Sequence, residues 1–378
     1  MILTKRKIPL FDLNVGEEEA DAVLRVLESK WISMGENVGA FEAEFQAHLG
    51  IANAVAVTNC TAALHLALVL VGIKPGDEVI VPSFTFVATV NAVRYVGGKP
   101  VFADITSLDM PSIDPSDVAA KITRRTRAII VMHYAGYPCE MESLLSIARE
   151  HRLRLVEDAA HAPGTQYHGK SVGTFGDVGC FSFFSNKNIT CAEGGMLVTD
   201  DEELARRARL LRAHGMTALS YDRARGHATG YDVLDLGFNY RLDDIRAALG
   251  RVQLAKLEAD IERRSKLRGA YVERLHDIDK LTIPHQHQEH RSSHYIFPVF
   301  LKGATSQERD RVRSQLRSAG IETSVHYPAA HRFSIYRDLG AQVPMTERAT
   351  DTEITLPLYH DLSLDDIGYV ASQVEQAL

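Results

Sequence analysis

A lysine side chain does covalent chemistry only where its ammonium has lost water, and one stretch of this sequence offers such a place. Residues Cys180–Asp200 read CFSFFSNKNITCAEGGMLVTD: an apolar, aromatic-rich run, a polar turn, then the strand-like Gly195–Thr199. Lys187 sits alone in that turn. Held between two buried strands, its pKa falls and the free amine can condense with a carbonyl. A lysine taken by itself is more often a solvated loop residue, because Lys is almost never fully buried unpaired. The decision rests on what else the chain supplies.

Four further motifs supply it. In Val156–Gly164, VEDAAHAPG, an apolar strand ends in Glu157 and Asp158. Ligands of open α/β sheets bind at strand C-termini, and a carboxylate there can hold a pyridine nitrogen protonated. Asp158 could equally cap the turn that follows. Thr58–Ala63, TNCTAA, joins a strand to a helix, so its N–H groups and the Thr61 hydroxyl form either an anion site or a plain cap. Phe84–Phe86, FTF, puts an aromatic at a strand–helix corner, to stack on a flat ring or to fill the core. Gly237–Arg241, GFNYR, offers Asn239 and Arg241 to a phosphate or carboxylate, or closes a turn. Within the lysine stretch, Ser182 can bind a phosphate, and Gly194–Gly195 permits turn geometry that other residues resist. An amine, a ring-nitrogen partner, a stacking ring and phosphate donors together fit pyridoxal phosphate, held as an imine by Lys187.

The elements that must position these groups follow from periodicity. Residues 16–29 and 38–49 read as amphipathic helices, the first with an apolar face of Ala20, Val23, Leu24 and Leu27. Between them lies Trp31, the only tryptophan, either a core plug or a lip of the substrate site. From Ala54 strands and helices alternate: strands at 54–58, 78–82, 100–105, 128–132 and 153–157, helices at 61–71, 85–96 and 141–151. Alternation with continuous apolar strands implies a mostly parallel sheet covered on both faces. A helix spans 201–214, an aperiodic polar loop 217–236, and a long helix Asp244 to about Leu275. After it come strands at 295–301 and 323–326, a helix at 306–319 and a C-terminal helix from Leu364. The division falls inside the long helix: residues 1–254 form a large domain and 255–378 a small α+β domain.

The chain has 378 residues, 45% of them hydrophobic, and a formal net charge of −7. That mild acidity argues against a nucleic-acid partner held by a basic surface. No apolar run reaches the length of a membrane span and MILTKRKIPLFDL lacks a signal-peptide core, so a cytoplasmic protein is expected. Cys60, Cys139, Cys180 and Cys191 have no metal-ligand spacing and read as buried free thiols.

From about Pro9 to Val374 the chain resembles the PLP-dependent sugar-nucleotide aminotransferases of the DegT family, through WISMGENVGAFEAEF, TNCTAALHLAL, VPSFTFVATVNAV, VEDAAHAPG, FSFFSNKNITCAEGGMLVTDD, GFNYRLDDI, SVHYPAAH and LPLYHDL. The resemblance implies a type I aminotransferase fold and a homodimer with shared active sites. It implies Lys187 as the Schiff-base lysine, Asp158 as the ring-nitrogen partner and His161 beside the cofactor's O3′ edge, where many relatives carry Gln. Phe86 would stack on the ring. Thr61, Ala62 and Ser182 would bind the phosphate, joined by Asn239, with Arg241, from the other subunit. His326, His331, Trp31 and Tyr221 would lie near the sugar nucleotide. Tyr295 falls near a His of several relatives, and Cys60 where many have Gly. The implied reaction moves an amino group from L-glutamate, through the PMP form of the cofactor, to a dTDP- or UDP-linked 4-keto-6-deoxyhexose. Lys187 argues against the dehydratase branch, which has His there. A 3-keto sugar nucleotide, a keto-inositol, and a regulatory homologue that binds without transaminating are the alternatives.

Overall fold

The computed structural model describes residues 7–218, 226, 229–286 and 289–378. Its centre is a seven-stranded sheet. The first helices, α1 (Glu17–Ser29) and α2 (Glu36–Leu49), precede β1 (Asn53–Val57). Then follow α3 (Cys60–Leu70), β2 (Glu78–Pro82), α4 (Val87–Tyr95), β3 (Lys99–Ala103), α5 (Pro115–Ala120), β4 (Thr126–Met132), α6 (Met141–His151) and β5 (Arg154–Asp158). The sheet is completed by β6 (Val178–Ser182) and β7 (Gly195–Thr199). Its spatial order is β1-β7-β6-β5-β4-β2-β3. Strand β7 runs antiparallel to both its neighbours, while β6, β5, β4, β2 and β3 are parallel. The hairpin β6–β7 therefore doubles back inside the sheet and hangs the Lys187 turn at the C-terminal edge of the parallel strands.

Side-chain alternation explains how β6 serves two purposes. Phe181 and Phe183 point to one face, where their ring centroids lie 5.0 and 5.4 Å from that of Phe45 on α2. Ser182 between them points to the other face. The same alternation separates Glu157 from Asp158 on β5. Glu157 is fully buried and accepts backbone N–H bonds from Gly173, Phe175 and Gly176, each at 2.7 Å. His133 lies 3.0 Å away through Nε2, and its Nδ1 accepts the Cys139 N–H, so the ring N–H faces Glu157. Glu157→Ala would orphan all four donors at once. We expect it to cost about 3–5 kcal/mol, the scale of leaving several buried donors without their acceptor. The measurement is a lowered urea midpoint with unchanged slope.

Beyond α7 (Glu202–Leu211), the helix α8 (Asp244–Leu275) runs 32 residues. Its Ala247, Leu257 and Ile261 join the core of the large sheet, and its Leu267, Tyr271 and Leu275 join a second core. That core lies on a three-stranded antiparallel sheet of β8 (Leu281–Thr282), β9 (Phe297–Leu301) and β10 (Glu353–Leu356). Helices α9 (Ser306–Ser318), α10 (Pro344–Thr352) and α11 (Leu364–Ala377) complete this part. Among the described residues, no helix is long and apolar enough to cross a membrane. All four cysteines are free and buried.

Three local expectations need correction. The buried face of α1 is Glu19, Ala22 and Val26, not Ala20, Leu24 and Leu27. Glu19 can be buried because Lys256 Nζ lies 2.7 Å away and Gln253 and the Gly16 N–H also donate to it. The expected strand at 323–326 is a single bridge, Ser324 with Thr355. The next chance for a ladder is lost because the His326 N–H goes to the Glu353 side chain. Gly194 and Gly195 are needed for space and not for turn geometry. A side chain on Gly195 would meet the Asn59–Cys60 backbone at 2.5–2.6 Å, and one on Gly194 would meet Cys191 Sγ at 2.2 Å. Ala192 supplies the left-handed conformation instead, with φ 66°.

Candidate active site

A cavity of about 430 Å³ opens where β5, β6 and the start of α3 converge. Thr61, Phe86, Asp158, His161, Ser182, Lys187 and His326 all line it, although they come from five separate stretches of sequence. This is the C-terminal edge of the parallel strands, the expected place for a ligand in such a sheet.

Lys187 is anchored from both sides. Its turn is closed by the Lys187 N–H to Phe184 O bond, by Phe183 N–H to Gly194 O and by Cys191 N–H to Phe183 O. The Asn188 amide donates to Ser293 O and to Asp260 on α8, tying the loop to the long helix. The Lys187 ammonium lies 4.1 Å from the ring centroid of Tyr295. Burial pushes its pKa down to about 7, against the pull of Asp158 and Cys60. An amine at that pKa is substantially uncharged at neutral pH, as condensation with an aldehyde requires.

Asp158 ends β5 with both oxygens directed. Oδ2 accepts the Thr89 hydroxyl at 2.6 Å, and Oδ1 accepts the Ala160 N–H at 3.2 Å. Thr85, just ahead of α4, lies 2.8 Å from the Thr89 hydroxyl and extends the chain. Burial raises the Asp158 pKa, while these bonds, Lys187 and His133 oppose the rise. A cation brought against this carboxylate would therefore be held strongly.

His161 is neutral, because burial first, then Lys187 and His326, hold its pKa far below the ordinary range. Its Nδ1 accepts the Ala135 N–H at 3.3 Å. The single ring proton is thus on Nε2, which donates to the Tyr327 hydroxyl at 2.7 Å. Ala135 aims its N–H from a left-handed conformation, φ 56°, that a non-glycine residue rarely adopts. Tyr295 covers His161 with ring centroids 4.2 Å apart.

The remaining groups suit a flat, phosphorylated ligand. Phe86, the N-cap of α4, is 54% exposed although it lines a cavity, its ring tilted against Tyr327 at 5.8 Å between centroids. Helix α3 begins at the cavity with Asn59, Cys60 and Thr61, and Ser182 adds a second hydroxyl. An aldehyde-reactive amine, a buried carboxylate for a ring nitrogen, an open aromatic face and a helix N-terminus with two hydroxyls match pyridoxal phosphate in chemistry.

Not every expected residue gathers here. The Ala62 N–H is taken by the Asn59 side chain at 2.8 Å, as a helix cap, so it is not available to a phosphate. His331 does not line the cavity. It is held by Ser83 at 2.7 Å through Nδ1 and by Glu347 at 3.2 Å, because the turn Ala330–Arg332 docks on the end of β2. Trp31 lines a different groove, with Arg25, Asp244 and Arg251. Asn239 is exposed and Arg241 pairs with β1 at Val57, both outside the cavity. Tyr221 falls outside the described residues. Sequence reasoning missed Tyr327, which lies beside His326 in the quoted SVHYPAAH. It also missed Thr89, whose i, i+4 spacing from Thr85 on an apolar helix was the available signal.

The DegT/DnrJ/EryC1/StrS aminotransferase family model matches residues 14–375. The uncharacterised protein MJ1066 of Methanocaldococcus jannaschii is 37% identical over 375 residues, covering 98% of this chain and 97% of that protein. Helicobacter pylori PseC, an aminotransferase involved in pseudoaminic acid biosynthesis, superposes with a TM-score of 0.92 at 30% identity, over 98% of this chain and 99% of that one. Spr1654, a sugar aminotransferase candidate from Streptococcus pneumoniae, matches in its PMP form with a TM-score of 0.93 at 29% identity, over 98% and 100% of the two chains.

Proposed function

We propose, from the premise that the chain belongs to the DegT/DnrJ/EryC1/StrS aminotransferase family and is a PLP-dependent sugar aminotransferase, that it aminates a nucleotide-linked 4-keto-6-deoxyhexose with L-glutamate as donor. The observation that carries this reading is the pairing of Lys187, its pKa lowered to about 7, with buried Asp158 in one cavity. His161, His326, Tyr295, Tyr327 and Asn186 also line the cavity, with Glu193 its one further charged group, and no arginine does among the described residues. Such groups can hydrogen-bond a hydroxylated ring.

Bound in this cavity, pyridoxal phosphate supplies an aldehyde to take the amino group and a ring to receive the electron pair left by a departing proton. Lys187 Nζ would hold the aldehyde and, when free, would accept and return the proton at the substrate carbon. Asp158 would keep the ring nitrogen protonated, and Thr89 holds Asp158 in place. Phe86 fixes the ring plane. Thr61, Ser182 and the start of α3 fix the phosphate, and His161 orients Tyr327. The homodimer is part of this reading. Leu24, Leu27 and Ile32 are about half exposed on one end of the chain, an apolar surface suited to a second copy. That copy would bring Asn239 and Arg241 toward its partner's phosphate. The division into a large and a small domain near residue 255 lies a few residues before the point on α8, between Ile261 and Leu267, where its buried face passes from one core to the other. A cytoplasmic location fits four unpaired thiols.

The test is direct. The purified chain with PLP and L-glutamate is offered a dTDP-4-keto-6-deoxyhexose and its 3-keto isomer. We expect amination of the 4-keto sugar. Turnover of the 3-keto sugar alone rejects the positional assignment, and turnover of neither rejects the nucleotide-sugar reading.

A further inference from the structure

His326 lines the cavity, and its Nδ1 lies 2.8 Å from Thr355 Oγ1. Thr355 Oγ1 lies 2.6 Å from Glu353 Oε1. Glu353 Oε2 in turn accepts the His326 backbone N–H at 2.8 Å. Glu353 and Thr355 share one face of β10, and both are fully buried. The Ser324–Thr355 bridge fixes the His326 segment against that strand. Glu353, Thr355 and His326 thus form a hydrogen-bonded line from the small sheet to the cavity wall. His326 Nε2, at its end, makes no hydrogen bond among the described residues.

Proton counting gives this line two states. Burial first, then Lys187, lower the His326 pKa to about 4, so near neutrality the ring carries one proton. The Thr355 hydroxyl also has one. With Glu353 ionised, Thr355 donates to the carboxylate and must accept from His326 Nδ1–H, leaving Nε2 bare. With Glu353 protonated, the acid donates to Thr355, Thr355 donates to Nδ1, and the ring proton moves to Nε2.

We propose that Glu353, acting through Thr355, is the positioning residue that sets the polarity His326 Nε2 shows to substrate, a donor when Glu353 is protonated and an acceptor when it is ionised. This rests on the sugar-aminotransferase reading above and deepens it. The donor form matches a lone pair on a keto or hydroxyl oxygen of the sugar.

The surroundings favour the donor form at neutral pH. Burial pushes the Glu353 carboxyl up to about 8, opposed by Thr355, the His326 N–H, and Arg309 and Arg313 of α9. Tyr134 and Tyr327, the other titratable groups that face it, are raised well above their ordinary range and stay neutral. On the cavity side His326 meets Lys187, His161 and Tyr327.

The test reads the tautomer itself. In the full chain labelled with 15N-histidine, the His326 resonances are assigned by their loss in His326→Gln. We expect the Nε2–H form below about pH 8 and the Nδ1–H form above it. Glu353→Gln should hold Nε2–H at every pH, since its amide donates to Thr355 and its carbonyl still accepts the His326 N–H. Thr355→Val should remove the pH dependence, and it serves if Glu353→Gln does not fold. In kcat/KM for the keto sugar, conversion to the acceptor form removes one neutral hydrogen bond, worth roughly tenfold. That loss should appear on the alkaline side in the native chain and be absent in Glu353→Gln. A tautomer that ignores pH in the native chain, or one that titrates unchanged in Glu353→Gln, overturns the proposal. If no sugar is aminated, the functional reading fails while the resonances still decide the relay.

Discussion

Replacing Lys187 with alanine is expected to lower transamination by about 10³-fold or more and to abolish borohydride trapping of the cofactor on residue 187. The expectation rests on one amine having two duties, covalent attachment and proton transfer, and on no other lysine lining the cavity among the described residues. Lys187→Arg is the sharper control. Its guanidinium keeps the positive charge and the contact with Tyr295 but stays protonated at any working pH. It should be as inactive as the alanine variant, and circular dichroism should show both folded. Turnover near the native rate in either variant would end the assignment of Lys187.

Asp158→Asn is expected to reduce kcat by about 10²–10³-fold, the scale of removing one preorganised charge from a reacting centre. The change preserves volume and leaves an amide oxygen for the Thr89 hydroxyl, so the fold should persist. What disappears is the negative charge that would hold a ring nitrogen protonated. Cofactor affinity should therefore change less than turnover, and the absorption spectrum of the bound cofactor should report a neutral ring. An unaltered kcat in the Asp158→Asn variant would assign Asp158 to capping alone.

These two residues were legible in the sequence because their context is local. Asp158 ends an apolar run, and Lys187 interrupts a pair of apolar runs, so the neighbours on either side announce a strand edge. Strands of the large sheet were legible for the same reason, since β1, β2, β6 and β7 are each buried along their whole length. What could not be read depends on distant partners. His161 meets Tyr327 across 166 positions of sequence, and Asp158 meets Thr89 across 69. His331 has the composition of a site residue, but Ser83, 248 positions away, holds it behind the strand end. Gly195 reads as a turn former until the α3 backbone is seen pressing on it. The apolar face of α1 failed because burial there follows the ionic anchor of Glu19 on Lys256, and the leucines were left outside.

The adjacency of Glu157 and Asp158 has a consequence for how this chain tolerates change. Two carboxylates in successive positions differ only in which side of a pleat they occupy: one braces the scaffold, the other lines the cavity. Losing or gaining a single residue between α6 and β5 would exchange them, leaving the correct acid groups in a sound strand and both at the wrong addresses. Phase, beyond composition, is the heritable quantity at this strand.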